Sequence, residues 1–130
     1  MVLDASAVVR ALTVRDSRAA DWLRRLDDGE IVPSAPDLLF AEVAHAFLRY
    51  VRAELFDIDV ARDNVEFVCA LPLQVWPLQR LAHAALEVAH ERHLSAYDAC
   101  YVALAHAEDA VLVTADRRLA AAADRAELVA

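Results

Sequence analysis

Met1-Val2-Leu3-Asp4-Ala5-Ser6-Ala7 and Val111-Leu112-Val113-Thr114-Ala115-Asp116-Arg117 are built in the same order. Each begins with a short apolar run of strand character. A carboxylate stands just past its end, and a helix-forming stretch follows. Between these two stretches strands and helices alternate. Helices are expected over Ala5–Thr13 and residues 17–26, the second ending near Gly29. Glu30-Ile31-Val32 reads as a short strand before Pro33. Ser34-Ala35-Pro36 then leads into a long helix, roughly residues 37–53, with Pro36 near its first turn. Leu39, Val43, Ala46, Phe47 and Tyr50 fall on one face of it. Further helices are expected over residues 57–70, 79–93, 95–108 and 117–124. Leu73-Gln74-Val75-Trp76 alternates and stops at Pro77, as a strand does. Residues 110–114 form another strand and residues 127–129 a short last one. This alternation predicts an α/β sandwich with a mostly parallel central sheet. In such sheets function gathers at the carboxyl ends of the strands, where Asp4 and Asp116 stand.

The chain has 130 residues, which fits a single domain over residues 1–130 with a real core. A hydrophobic fraction of 59% argues against disorder. No apolar run is long enough for a membrane span. The chain opens on Met-Val-Leu-Asp without a basic segment ahead of an apolar one, so a cytoplasmic location is expected. Cys69 and Cys100 lack zinc-type or redox spacing, and both read as small buried hydrophobes. The net charge of −8 counts against a bulk nucleic-acid binder but leaves room for an enzyme that meets phosphates through metal ions. It also suggests a basic partner.

Four carboxylates draw attention. Asp4 follows the first strand and could cap the next helix, as could Ser6. Glu42 lies within the apolar stretch Leu38-Leu39-Phe40-Ala41-Glu42-Val43, where an edge position reaching water is the bland alternative. Ser95-x-x-Asp98 has the form of a capping box. Asp116 could cap the last helix, and so could Thr114, which otherwise helps orient Asp116 or a water. Taken together, the four suggest an acidic pocket at one end of the sheet, where a bound cation offsets the cost of burying charge. The histidines are weaker candidates. His90 and His93 lack the spacing of zinc proteases and read as surface residues, and His45, His83 and His106 carry no motif.

Rival chemistries fall by absence. A phosphate-binding P-loop needs glycines and a lysine, but the chain has one glycine, Gly29, and no lysine. A dinucleotide fingerprint and a Gly-x-Ser-x-Gly nucleophile elbow fail for want of glycine. Phospho-aspartate enzymes resemble one another in relying on a lysine. Carboxylate-only metal chemistry remains.

Read together, these residues resemble the PIN-domain ribonucleases, in particular the VapC-type toxins of bacterial toxin–antitoxin pairs. Val2-Leu3-Asp4-Ala5-Ser6-Ala7 is similar to the opening strand of that family with its first aspartate. Ala41-Glu42-Val43 stands where the family carries a helical glutamate. Ser95-Ala96-Tyr97-Asp98-Ala99-Cys100-Tyr101-Val102-Ala103-Leu104-Ala105 resembles its Ser-x-x-Asp-Ala-x-Tyr-x-Ala-Leu-Ala pattern, and Val113-Thr114-Ala115-Asp116 its closing Thr-x-Asp. The resemblance implies a three-layer α/β/α fold, dependence on Mg²⁺ with Mn²⁺ as substitute, and hydrolysis of RNA by activated water. It implies Asp4 and Asp98 as the principal metal ligands, with Glu42 and Asp116 completing the shell and Ser6 and Thr114 in support. Hard oxygen ligands suit both metals, and one or two ions could serve. Arg117 and Arg118 stand where they could touch phosphates, although a solvated helix face explains them too. A small antitoxin whose basic tail covers the site, and a homodimer, are the implied protein partners. Phe47, Tyr50, Leu55 and Phe56 could offer apolar surface to either, or simply pack in the core. A non-catalytic PIN-like binding module and a metal-dependent DNA nuclease are the alternatives.

Overall fold

The computed structural model describes all residues from Met1 to Ala130. The sheet strands are β1 (Val2–Leu3), β2 (Ser34–Pro36), β3 (Gln74–Trp76), β4 (Leu112–Thr114) and β5 (Ala126–Leu128). The helices are α1 (Ala5–Thr13), α2 (Arg18–Asp27), α3 (Leu38–Arg52), α4 (Ile58–Cys69), α5 (Ala82–Arg92), α6 (Ala96–Ala107) and α7 (Arg117–Ala122). All strand pairs are parallel, in the order β3-β2-β1-β4-β5. From β1 the chain first winds outward through β2 to β3. It then crosses to β4, on the other side of β1, and ends at β5. With right-handed crossovers, that reversal puts α1 to α4 on one face and α5 to α7 on the other. Contacts agree: α1 packs on α2 and α3, and α5 packs on α6. The result is the expected three-layer α/β/α sandwich. Its topological switch point lies between β1 and β4.

The central strands are buried on both sides, which is why β1 and β4 read as unbroken apolar runs. Helix α6 is buried all around from Ala99 to Ala105. Its alanines let it sit close between the sheet and α5, which explains a helix with little polar face. Phe47, 1% exposed, stacks with Tyr50 and Phe56 in a three-ring cluster under the α3–α4 turn. Those rings are core packing. Leu55 beside them is 67% exposed.

Several expectations need correction. The second strand is Ser34–Pro36, not residues 30–32. Ile31 and Val32 have strand propensity, but Val32 is 56% exposed, whereas Ser34, Ala35 and Pro36 are buried. The backbone ladder settles the register. The Ser34 N–H donates to the Met1 carbonyl (2.9 Å), the Gln74 N–H to Pro33 (3.0 Å), and the Asp37 N–H to Trp76 (2.9 Å). Pro36 has no N–H for β1, so the β1–β2 pairing stops at Val2 opposite Ser34. The helix expected over residues 79–93 is split into a 3₁₀ turn, Leu78–Arg80, and α5. Asp37 Oδ1 accepts the Leu78 N–H at 3.1 Å and pins that turn to the start of α3. Helix α7 stops at Ala122, and the last strand is Ala126–Leu128 rather than residues 127–129. Cys100 is buried as expected, but Cys69, at the end of α4, is exposed.

Helices α2, α3, α5 and α6 all close with one left-handed residue: Gly29 (φ 76°), Glu54 (φ 60°), His93 (φ 57°) and Asp109 (φ 48°). In each, the next N–H reaches back across the last turn, as Leu55 does to Tyr50 at 2.9 Å. Only α2 uses glycine there. Glu54→Gly therefore stabilises the protein by about 0.5–1 kcal/mol, seen as a higher urea midpoint at unchanged slope. An unchanged or lower midpoint would refute the strain at Glu54.

Candidate active site

The four carboxylates come from four elements and meet at the switch point. Asp4 follows β1, Glu42 projects from the second turn of α3, Asp98 from the first turn of α6, and Asp116 stands between β4 and α7. All four line one groove of about 720 Å³ that opens between α1, α3 and α6.

Asp4 is 5% exposed. It occupies the N-cap position of α1 without making a side-chain capping bond. Its Oδ2 instead accepts the Ser6 hydroxyl and, at 2.7 Å, the Thr114 hydroxyl. Each hydroxyl has one proton, so both protons go to Asp4, and the 3.0 Å approach of Ser6 Oγ to Thr114 Oγ1 is packing. The free lone pairs accept backbone donors: Ala115 N–H on Ser6 and Asp116 N–H on Thr114, both at 3.0 Å. Ser6 and Thr114 thus stitch α1 to the end of β4 and fix Asp4 and Asp116 relative to each other.

Asp98 and Asp116 show that capping and site geometry coexist. Ser95 Oγ accepts the Asp98 N–H at 3.0 Å, which is half of a capping box. The return bond from the Asp98 carboxylate is not made, and that carboxylate lines the groove. Asp116 Oδ1 does cap α7, accepting the N–H groups of Arg118 (2.9 Å) and Leu119 (3.1 Å). Glu42 is half-buried, and its Oε1 accepts the phenolic O–H of Tyr101 at 2.5 Å. Tyr101 was not singled out as a site residue from sequence. It is wholly buried in α6, where a phenol needs a polar partner, and Glu42 is that partner.

Burial and mutual repulsion make these charges costly. Burial raises the Asp4 pKa, the Ser6 and Thr114 hydroxyls oppose it, and the Asp98 charge adds to it. Burial also raises Glu42 against the Tyr101 bond, with the Asp4 and Asp98 charges contributing. For Asp98, burial and the Asp116 charge raise the pKa, while the Ser95 hydroxyl near the carboxylate and the Arg118 charge lower it. Arg118 also donates to the His93 carbonyl at 3.1 Å. Arg117 lies outside the groove, as does every histidine except His45.

No three His, Cys, Asp or Glu side chains close up into a complete ligand cluster. Mg²⁺ takes only one or two carboxylates directly and keeps several waters, so a closed ligand cluster is not required for it. A set of repelling, half-dehydrated carboxylates on an open groove has the charge and hardness for such an ion.

The fold and the acidic switch point define a class, and the sequence comparison agrees. The chain belongs to the PIN-domain family, whose family model matches residues 1–125. It is similar to Ribonuclease VapC1 of Mycobacterium tuberculosis, 40% identical over 122 residues, covering 93% of this chain and 89% of that protein. It is also similar to the VapC ribonuclease Mb0985 of Mycobacterium bovis, 34% identical over 119 residues, with 92% and 87% covered. Among solved structures, PAE2754 of Pyrobaculum aerophilum superposes with a TM-score of 0.75 at 28% identity, covering 98% of this chain and 89% of that one. VapBC2 of Rickettsia felis, bound to a promoter DNA fragment, matches the fold at a TM-score of 0.71 and 14% identity over 99% and 98% of the two chains.

No helix is long and apolar enough to cross a membrane.

Proposed function

We propose that this protein is a metal-dependent endoribonuclease, the toxin of a toxin–antitoxin pair acting in the cytoplasm. The observation that carries this reading is the convergence of Asp4, Glu42, Asp98 and Asp116 on one groove at the switch point. Relatives at 34–40% identity bear the name ribonuclease, which supports it. Asp4 and Asp98 would hold Mg²⁺ or Mn²⁺, with Glu42 and Asp116 completing the shell or ordering water. When bound, the ion supplies charge for the scissile phosphate and an acidified water. The chain's own residues prepare the place. Ser6 and Thr114 orient Asp4 and favour its charged form against burial, and Tyr101 fixes the Glu42 rotamer.

An antitoxin with a basic tail fits the acidic end of the groove, and toxin–antitoxin complexes among proteins of this fold agree with such a partner. The exposed Leu55 and Ile58 at the α3–α4 turn offer apolar surface to a second copy in a homodimer.

Cleavage of single-stranded RNA with Mn²⁺, compared with single-stranded DNA and with EDTA, tests the reaction. RNA cut only with metal supports the reading. Preferential cutting of DNA would replace it with a DNA nuclease. Tyr101→Phe tests the support of Glu42. The variant folds, loses about 1 kcal/mol of stability, and weakens metal binding or cleavage about tenfold. Unchanged metal binding and cleavage would mean that Tyr101 serves only the core.

A further inference from the structure

The groove does not end at the carboxylates. Along α3, Glu42, His45 and Arg49 follow one another at helical spacing and all line it. Along α1, Ser6, Arg10 and Thr13 do the same. These two helices pack together, so their facing rows form a trough leading away from the acidic centre. Glu42 and Arg49 are seven residues apart, roughly 10 Å along the helix.

Arg10 and Arg49 are not committed elsewhere. Six of the thirteen arginines of this lysine-free chain sit in ion pairs; of the seven that reach no carboxylate, only Arg10 and Arg49 line the groove. No ion pair joins either of them to Asp4, Glu42, Asp98 or Asp116, so they are not direct partners of the acidic centre. Two free guanidiniums beside a cation-binding centre, on a protein of net charge −8, call for a ligand that uses both. A basic peptide, such as an antitoxin tail, can use the acidic end but leaves the arginines unpaired. An acidic peptide would gain nothing from the carboxylates. A polyphosphate strand uses the metal end for one phosphate and the arginines for its neighbours.

We infer that Arg10 and Arg49 hold backbone phosphates of a single RNA strand flanking the cleaved bond. This rests on the nuclease reading above. Because the contacts go to the backbone, they position the strand without reading its sequence.

The test is salt-dependent binding of a labelled single-stranded RNA of about ten nucleotides, followed by fluorescence anisotropy in the Asp98→Asn background. Each phosphate contact contributes about 0.7 to the slope of log K against log salt for a single strand. Arg10→Ala with Arg49→Ala should flatten that slope by about 1.4 and weaken binding about tenfold or more at low salt. The corresponding double lysine variant should keep the slope, and Arg62→Ala, on the outer side of α4, should change nothing. An unchanged slope in the double alanine variant overturns the assignment, as does a parent that binds no RNA. Mn²⁺ titration of the wild type separates the two ideas. Metal binding with an unchanged RNA slope sinks the arginines alone, whereas missing metal binding sinks the nuclease reading.

Discussion

Asp98→Asn is expected to lower metal-dependent RNA cleavage about a hundredfold or more while raising the thermal stability of the metal-free protein. The loss follows from removing a carboxylate that the proposed metal ion would need as a ligand. The gain follows from the same charge in the absence of metal. The pKa of Asp98 is raised by burial and by Asp116, so the folded state holds its proton more tightly than the unfolded chain does. For such a group the penalty is full above the folded pKa. It is relieved as pH falls toward the ordinary carboxylate value of 3.8. The metal-free wild type should therefore gain on Asp98→Asn as pH drops from neutrality, and the difference in melting temperature between them should shrink. Thermal melts in EDTA across that range check the sign. A variant less stable than wild type at neutral pH would show that Asp98 is held by favourable contacts instead. Function and stability would then not be opposed here.

The second large effect is structural. Phe47→Ala should cost about 3–5 kcal/mol. Its ring is 1% exposed and touches both Tyr50, at 5.9 Å between centroids, and Phe56, also at 5.9 Å. Truncation leaves a cavity and strips the two remaining rings of their shared partner. Their own T-shaped contact at 5.5 Å is too close to the surface to fill it. Because α3 also carries Glu42 and Arg49, loosening its packing should reach the site, and cleavage should fall along with stability. Urea denaturation measures the first effect directly. A loss under about 1 kcal/mol would mean that α3 and α4 close onto the gap.

Much of this arrangement was legible in the sequence because its signals are local. A strand end followed by an acid is visible at Asp4 and Asp116 without knowing the neighbours. Glu42 stands out as an acid in an apolar helical stretch and Asp98 as part of a capping-box pattern, but their spacing along the chain says nothing of their approach in space. What stayed hidden depends on burial. Ser34-Ala35-Pro36 has no β-branched residue, and only its place between β1 and β3 makes it a strand. Ile31-Val32 had the propensity but not the neighbours. Tyr101 looked like one more apolar residue of α6 until its O–H was seen to meet Glu42, fifty-nine positions away in the chain. Arg10 and Arg49 were unreadable for a similar reason. A free arginine can be told from a paired one only when its surroundings are known.

The central claim is that the four carboxylates form a cation site, and Mn²⁺ titration by calorimetry tests it without needing the right RNA. Wild type should bind the ion with heat that Asp98→Asn abolishes, while circular dichroism of the two proteins stays the same. Equal binding by both proteins, or none by the wild type at millimolar metal, would contradict it.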